Sequence, residues 1–124
     1  MADYITNSDD TRMHGAFLKS GESVTLRVYS DDGAAQAYLN ACRADFGENA
    51  PSGEESAVSK VHGQYLLDDG DIEGKLSGGV YQNICGFSNA LDLGAISAGG
   101  YKEVVIKSTL TYGTVCFGLA IRSR

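Results

Sequence analysis

The sequence predicts an all-β protein, an antiparallel β-sandwich of about six to eight strands. In the run that begins at Thr114, apolar side chains recur at every second position, which is the repeat of a sheet strand. A second alternating run begins at Ser23. The chain also contains 16 glycines and a single proline, a composition that indicates many tight turns between short strands.

The C-terminal run predicts one face for the core and a second face of small or weakly polar residues. The first face consists of Val115, Phe117, Leu119 and Ile121, and the second of Thr114, Cys116, Gly118 and Ala120. A strand with this alternation contributes its apolar face to the space between two sheets. The pattern therefore predicts a layered β architecture.

The N-terminal part predicts an arm followed by two strands. We expect residues 1–124 to form a single domain, in which residues 1–10, which are polar and acidic, are a flexible arm. A short strand is predicted over residues 14–19. After the turn at Ser20-Gly21, Val24, Leu26 and Val28 alternate with polar residues, which predicts the second strand.

The segment of residues 34–46 supports two interpretations. Ala34, Ala37, Tyr38, Ala41 and Cys42 recur at helical spacing, and alanine favours helices, so a short helix is predicted. The alternative is a strand that directs Ala35, Ala37, Leu39 and Ala41 to one face.

The second half predicts three further strands and three connecting segments. Residues 48–59 predict an exposed loop, and residues 58–67 a strand. Residues 68–71 form a turn, and residues 80–87 predict another strand. The glycine-rich residues 91–100 are interpreted as a connection to a strand over residues 101–110.

Charge and composition limit the classes of partner. The formal net charge is −6, and the basic residues are spread along the chain, so a nucleic acid partner is not expected. No stretch approaches the length of an apolar membrane helix. The N-terminus lacks the basic and apolar regions of a signal peptide, so we expect the protein to be made and kept in the cytoplasm.

The residues that could carry chemistry do not form a recognised motif. Cys42, Cys85 and Cys116 lie in apolar contexts and are expected to be reduced and buried. His14 and His62 are far apart in sequence, and neither forms a metal-binding motif with a cysteine. No catalytic residue and no cofactor is predicted.

The acidic turn of residues 68–74 resembles the opening of a calcium-binding loop. Asp69, Asp71 and Glu73 alternate there as calcium ligands do. Val80 occupies the position where such a loop needs a bidentate carboxylate, so an EF-hand is excluded. A solvated acidic turn is the favoured interpretation, and the three carboxylates are weak candidates for an irregular metal site.

The aromatic residues suggest an interaction surface. The chain has seven tyrosines and no tryptophan, whereas sugar-binding modules often use a tryptophan platform. Tyr4, Tyr101 and Tyr112 lie near predicted strand ends or turns, where tyrosine provides contact area at low entropic cost. Together with Ile5, they are the predicted interface residues.

Two stretches resemble small β-sandwich proteins of tailed bacteriophage particles. The first is Leu91-Asp-Leu-Gly-Ala-Ile-Ser-Ala-Gly-Gly, followed by Lys102-Glu-Val-Val-Ile-Lys and a final Gly118-Leu-Ala-Ile. The second, Gly21-Glu-Ser-Val-Thr-Leu-Arg-Val-Tyr, looks like the early strand of such immunoglobulin-like or jelly-roll modules. The tryptophan that often follows the glycine turn in these domains is absent, and Val105 or Ile106 stands there.

This resemblance implies a structural, non-enzymatic role in the virion. It implies a capsid decoration (cement) protein, or a tail or fibre component, that is assembled in the host cytoplasm. Such a subunit binds the major capsid protein or other virion subunits, and it is expected to form a homo-oligomer, with a trimer as one arrangement. A carbohydrate- or receptor-binding β-sandwich module is the alternative.

Overall fold

Two large antiparallel sheets make up most of the described part of the protein. The structure is a computed structural model that describes residues 3–44, 60–61 and 64–124. The strands are Asp3–Thr6 (β1), Arg12–Met13 (β2), Gly15–Lys19 (β3), Ser23–Ser30 (β4), Ala34–Cys42 (β5), Lys60–Val61 (β6), Gln64–Tyr65 (β7), Ile72–Leu76 (β8), Gln82–Asn83 (β9), Leu91–Ile96 (β10), Gly100–Ser108 (β11) and Thr114–Ser123 (β12). A 3₁₀ turn spans Phe87–Asn89.

The sheets contain six and four strands. The six-stranded sheet has the order β2-β1-β4-β11-β8-β9, and the four-stranded sheet has the order β10-β5-β12-β3. All of these pairs are antiparallel, and β6 and β7 form a separate two-stranded pair. The predicted all-β antiparallel sandwich is confirmed. Within the described part of the chain, no helix is long and apolar enough to cross a membrane.

The core lies between the inner faces of the two sheets. In β12, Val115 and Phe117 are 0% exposed, as the predicted alternation requires. The inner face of the six-stranded sheet contributes Leu26 and Val28 from β4 and Val104 and Ile106 from β11, all fully buried. Because burying a side chain of this size contributes about 1.5–3 kcal/mol, these central strands supply much of the stability of the fold.

The second face of β12 is buried as well. Cys116 is 0% exposed although it points away from the core, and Thr114 and Gly118 are buried beside it. The chain that leaves β5 lies over this face, because the Arg43 carbonyl oxygen is 3.1 Å from where a Cβ on Gly118 would lie. The four-stranded sheet is therefore covered on both sides at this end.

The helix predicted over residues 34–46 is wrong for residues 34–44, and the alternative of a strand is confirmed over residues 34–42, while residues 45 and 46 lie outside the described residues. Residues 34–42 form β5, which pairs with β12 on one side and β10 on the other. Ala37, Leu39 and Ala41 are buried on one face of it. Pairing on both sides and burial outweigh the helical preference of alanine, which is a weak local bias.

The flexible arm predicted over residues 1–10 is wrong for residues 3–10. Asp3–Thr6 forms β1, which lies between β2 and β4, and Ile5 is buried in the core. The turn that follows is held by Asn7, whose side-chain Oδ1 accepts hydrogen bonds from the Asp9 and Thr11 amides. A four-residue strand is too short for its alternation to stand out in the sequence.

Two strands occupy segments where the sequence predicted a connection and an acidic turn. Residues 91–96 form β10, with a bulge at Gly94, whose φ of +71° suits glycine. Residues 72–76 form β8, in which a Cβ on Gly74 would meet the Ile84 side chain at 3.2 Å. Glycine thus marks a bulge and a close approach in these strands rather than their ends.

Other predicted strands agree with the structure to different extents. The strands predicted over residues 14–19, from Ser23 onwards and over residues 101–110 correspond to β3, β4 and β11. The strand predicted over residues 80–87 shrinks to β9, which has two residues. Residues 45–59, which include the whole predicted loop over residues 48–59, lie outside the described residues, as does part of the strand predicted over residues 58–67.

Candidate docking surface on the six-stranded sheet

Three tyrosines form a row across the outer face of the six-stranded sheet. The register places Tyr4 of β1 opposite Tyr29 of β4, and Tyr29 opposite Tyr101 of β11. The neighbouring residues Ile5 and Val28 point into the core, so the tyrosines point outwards. We call Tyr4, Tyr29 and Tyr101 the tyrosine row. Tyr101 is 46% exposed, and the other two are half-buried.

Neighbouring rings of the row are in direct contact with one another. The Tyr4 and Tyr29 rings are stacked, with centroids 4.9 Å apart and planes at 8°. The Tyr29 and Tyr101 centroids are 5.1 Å apart, with a tilt of 45°. Nearly parallel rings at the spacing of neighbouring strands must overlap face to face rather than lie flat on the sheet. The row therefore directs its ring edges outwards.

Two arginines pack on the rings. The Arg12 guanidinium carbon lies 4.0 Å from the Tyr4 ring centroid, and that of Arg27 lies 4.8 Å from the Tyr101 centroid. Hydrogen bonding to the Tyr29 side chain, followed by electrostatic attraction to Tyr101, raises the pKa of Arg27. Both arginines are thus fixed positive charges on an aromatic surface.

A second group of aromatic and basic residues lies further along the same sheet. Tyr81 is contacted by the amino groups of Lys107 and Lys75, at 4.2 and 4.8 Å from its ring centroid. Arg12, Arg27, Lys75 and Lys107 are thus four of the ten basic residues of the chain, and each packs on a tyrosine.

The acidic residues of this face keep it from being a strongly basic patch. Asp10 lies 3.8 Å from Arg27, and Glu73 lies 3.7 Å from Lys107. Glu103 is opposite Arg27 in the register. Since basic and acidic groups alternate, the surface does not have the charge of a nucleic acid site.

A groove opens beside the row, where the edge of one sheet separates from the other. Its volume is about 380 Å³. It is lined by Asp3, Tyr4, Ile5, Arg12, Met13, His14, Leu119 and Ile121. The Leu119 amide donates a hydrogen bond to the His14 carbonyl at 2.9 Å, and the Ser123 hydroxyl donates one to the Asp3 carboxylate. These bonds connect the two walls.

The structure brings some of the predicted interface residues together. Tyr4 and Ile5 both line the groove, and Tyr101 lies in the tyrosine row. Tyr112 is 62% exposed in the turn between β11 and β12 and belongs to neither feature. Tyr29, Arg12 and Arg27 were missed at the level of sequence, because only the strand register places them beside Tyr4 and Tyr101.

The structure places the three acidic candidates for a metal site in three different environments. The Asp71 carboxylate accepts a hydrogen bond from the Asp68 amide within the turn, at 2.9 Å. Glu73 pairs with Lys107, and Asp69 is exposed. Over the residues that the structure describes, no group of three or more histidine, cysteine, aspartate or glutamate side chains could hold a metal ion.

The cysteines are thiols in apolar surroundings. Cys85 and Cys116 are buried, Cys42 is half-buried, and none of them forms a disulfide. Burial raises the pKa of Cys42, and it also raises that of Cys85, whose sulfur accepts a hydrogen bond from the Ile72 amide at 3.3 Å. Both groups are therefore protonated at neutral pH, which is the unreactive form. His14 is exposed at the groove, and His62 lies outside the described residues.

Comparison with known proteins does not identify the chain. No protein family, no curated protein and no solved structure matches it.

Proposed function

We propose that the protein is a non-enzymatic structural subunit of a bacteriophage particle, a capsid decoration protein that binds neighbouring capsid or tail subunits. The observation that carries the proposal is the tyrosine row with its two arginines. Tyrosine and arginine are enriched at the centres of protein interfaces, where they supply large and rigid contact area. The resemblance of two sequence stretches to phage β-sandwich proteins is the reason for proposing a bacteriophage particle.

The arrangement of the rings favours a protein partner. A sugar ring stacks on an aromatic side chain whose face is open to solvent. In the row, Tyr4 is covered by Tyr29 on one side and by Arg12 on another, and Arg27 packs on Tyr101. Ring edges and hydroxyl groups remain to be presented, and these suit the hydrogen bonds and packing of a protein interface.

Binding of a carbohydrate is the second candidate, because an outward-facing aromatic row on one sheet is a feature that such modules use. Tyr101, at the end of the row, is the most exposed of the three rings. A glycan array separates the candidates. Saturable binding of a glycan that is lost in Tyr101→Ala would favour the second candidate over the first.

The proposal is tested on particles from the culture that produces the protein. After purification on a density gradient, the wild-type chain should be present at a fixed ratio to the major capsid protein. Tyr29→Ala should lower that ratio at least fivefold. The matched control is Thr25→Ala, an exposed residue on the same face of the same strand. A wild-type chain that stays at the top of the gradient would contradict the proposed role.

A further inference from the structure

We propose that the groove beside Tyr4 binds an extended segment of a partner protein, in which an aliphatic or aromatic side chain enters the groove and an adjacent carboxylate pairs with Arg12. This inference rests on the proposed function and deepens it, because it gives the chemistry of the partner. The groove is the cavity lined by the eight residues named above, and it is continuous with the tyrosine row through Tyr4 and Arg12.

The floor of the groove is core surface that the described residues leave open. Leu119 and Ile121 lie on the same face of β12 as Val115 and Phe117. The latter two are fully buried, whereas Leu119 and Ile121 are half-buried. The alternation of apolar residues therefore continues along β12, but Leu119 and Ile121 are covered less completely than Val115 and Phe117. Apolar surface of this kind gains about 25 cal/mol for each Å² that a partner removes from water.

The opposite wall is also apolar. Ile5 and Met13 face each other in the register between β1 and β2, and both line the groove. A volume of about 380 Å³ falls within the range of ligand-binding pockets. The hydrogen bonds from Leu119 to His14 and from Ser123 to Asp3 connect the two sheets at the groove. The volume of the groove and these hydrogen bonds between the sheets together limit the occupant to one or two side chains of an extended segment.

The charge at the rim selects a carboxylate. Arg27 and Lys107 on the same sheet each have an acidic neighbour, whereas Arg12 has no acidic partner among the described residues. Its guanidinium packs on Tyr4, which holds its position and leaves the N–H edges available for a bidentate bond. His14 also lines the groove. Asp3 is the one acidic residue in the lining, and its carboxylate already accepts a hydrogen bond from Ser123.

Short synthetic peptides test this proposal with the intact chain. The probe is a Gly-Ser peptide that carries Leu-Asp at its centre, and the matched probes carry Leu-Asn, Ser-Asp or Leu-Lys there. Binding is followed by the methyl NMR signals of Ile5, Met13, Leu119 and Ile121. We expect saturable shifts with Leu-Asp and affinity about three- to tenfold lower with Leu-Asn, as for a partly exposed ion pair. The Ser-Asp peptide should cause no saturable shift.

Variants at exposed arginines separate charge recognition from a change in structure. Arg12→Gln should remove the preference for Leu-Asp over Leu-Asn, and Arg12→Glu should reverse it in favour of Leu-Lys. Arg43→Gln, at an exposed arginine outside the groove and the tyrosine row, is the matched control, and it should keep the wild-type preference. The reversal is a readout that a merely structural role of Arg12 would not produce.

Several outcomes would overturn the proposal. They are an absence of saturable methyl shifts with every peptide, equal affinity for Leu-Asp and Leu-Asn, or an equal effect of Arg12→Gln and Arg43→Gln. Shifts of the same methyl groups that depend on protein concentration alone would assign the groove to a second copy instead. Particle co-purification is measured separately, so a chain that stays on particles while its groove ignores peptides would refute this inference and leave the proposed function standing.

Discussion

The outer faces of the two sheets differ in what lies over them. On the four-stranded sheet, Asn40 and Cys116 point away from the core and are nevertheless 0% exposed. On the six-stranded sheet, the corresponding layer includes the tyrosine row and charged side chains of both signs that remain in contact with solvent. One sheet is thus packed on both faces at one end, and the other has a face that is available to a partner.

The two outer faces also differ in the kinds of side chain that they carry. The covered face uses small residues where the chain crosses it, as at Gly118, whose missing Cβ would lie 3.1 Å from the Cys42 sulfur. It also buries the amide of Asn40, which has no hydrogen-bond partner among the described residues. The open face carries charged groups that water solvates at little cost. Substitutions should therefore have large effects on the first face and small effects on the second.

Asn40 should show the largest effect. Asn40→Asp places a charge in a fully buried position and should lower the free energy of unfolding by about 3–5 kcal/mol. Asn40→Leu removes, at similar volume, an amide that has no hydrogen-bond partner among the described residues, and it should raise the free energy of unfolding by about 1 kcal/mol. Urea denaturation measures both. Thr25→Asp on the open face is the control and should change the value by less than about 0.5 kcal/mol. Equal effects of the two aspartates would contradict the difference between the faces.

Gly118 should come next. Gly118→Val forces a branched side chain against the Arg43 carbonyl and the Cys42 sulfur, each 3.1 Å from where a Cβ would lie at this position. Such crowding should cost about 2 kcal/mol. Thermal unfolding should report the loss, and a valine variant as stable as the wild type would show that the chain after β5 does not pack firmly on this face.

The tyrosine row should contribute less to stability. Tyr29→Ala removes the stacked contact with Tyr4 and the tilted contact with Tyr101, and it should lower the free energy of unfolding by about 1–2 kcal/mol. Tyr112→Ala, at an exposed turn, should change it by less than about 0.5 kcal/mol. If both variants lose the same stability, the rings of the row do not support one another.

The smallest effect concerns the thiols. The folded pKa values of Cys42 and Cys85 lie above the ordinary thiol value of 9.0 because of burial. A raised thiol pKa means that the folded state holds its proton longer, so this contribution to stability is complete below pH 9 and is lost as the pH rises above it. Urea midpoints should therefore fall as the pH rises above 9. The decline should be shallower in Cys42→Ser, and an unchanged slope would show that Cys42 does not contribute.

Strands whose alternation is long and undisturbed are predictable from the sequence. In β12 and β4, apolar residues occupy every second position, and these two runs predict the sheet architecture. β5 is ambiguous because alanines fit either a helix or a strand, and its pairing with β10 and β12 decides the matter. β8 and β10 contain glycines that signal turns in a single sequence but serve packing and a bulge in the folded protein.

The candidate site is predictable only in part. Tyr4 and Tyr101 stand out for their positions near strand ends, together with Ile5, and the structure places Tyr4 and Ile5 in the groove and Tyr101 in the row. The row itself joins residues that are up to 97 positions apart, from Tyr4 to Tyr101. Such a juxtaposition depends on which strands pair and in which register, and neither is written in local periodicity.

Site-specific photo-crosslinking in assembled particles tests most directly whether the tyrosine row is the docking surface. Benzoylphenylalanine is placed at Tyr101 in the row and, as the control, at Val80, which is 86% exposed outside it. We expect a crosslink from position 101 to another virion subunit and none from position 80. Crosslinking from position 80 with none from position 101 would contradict the assignment of the row as the docking surface.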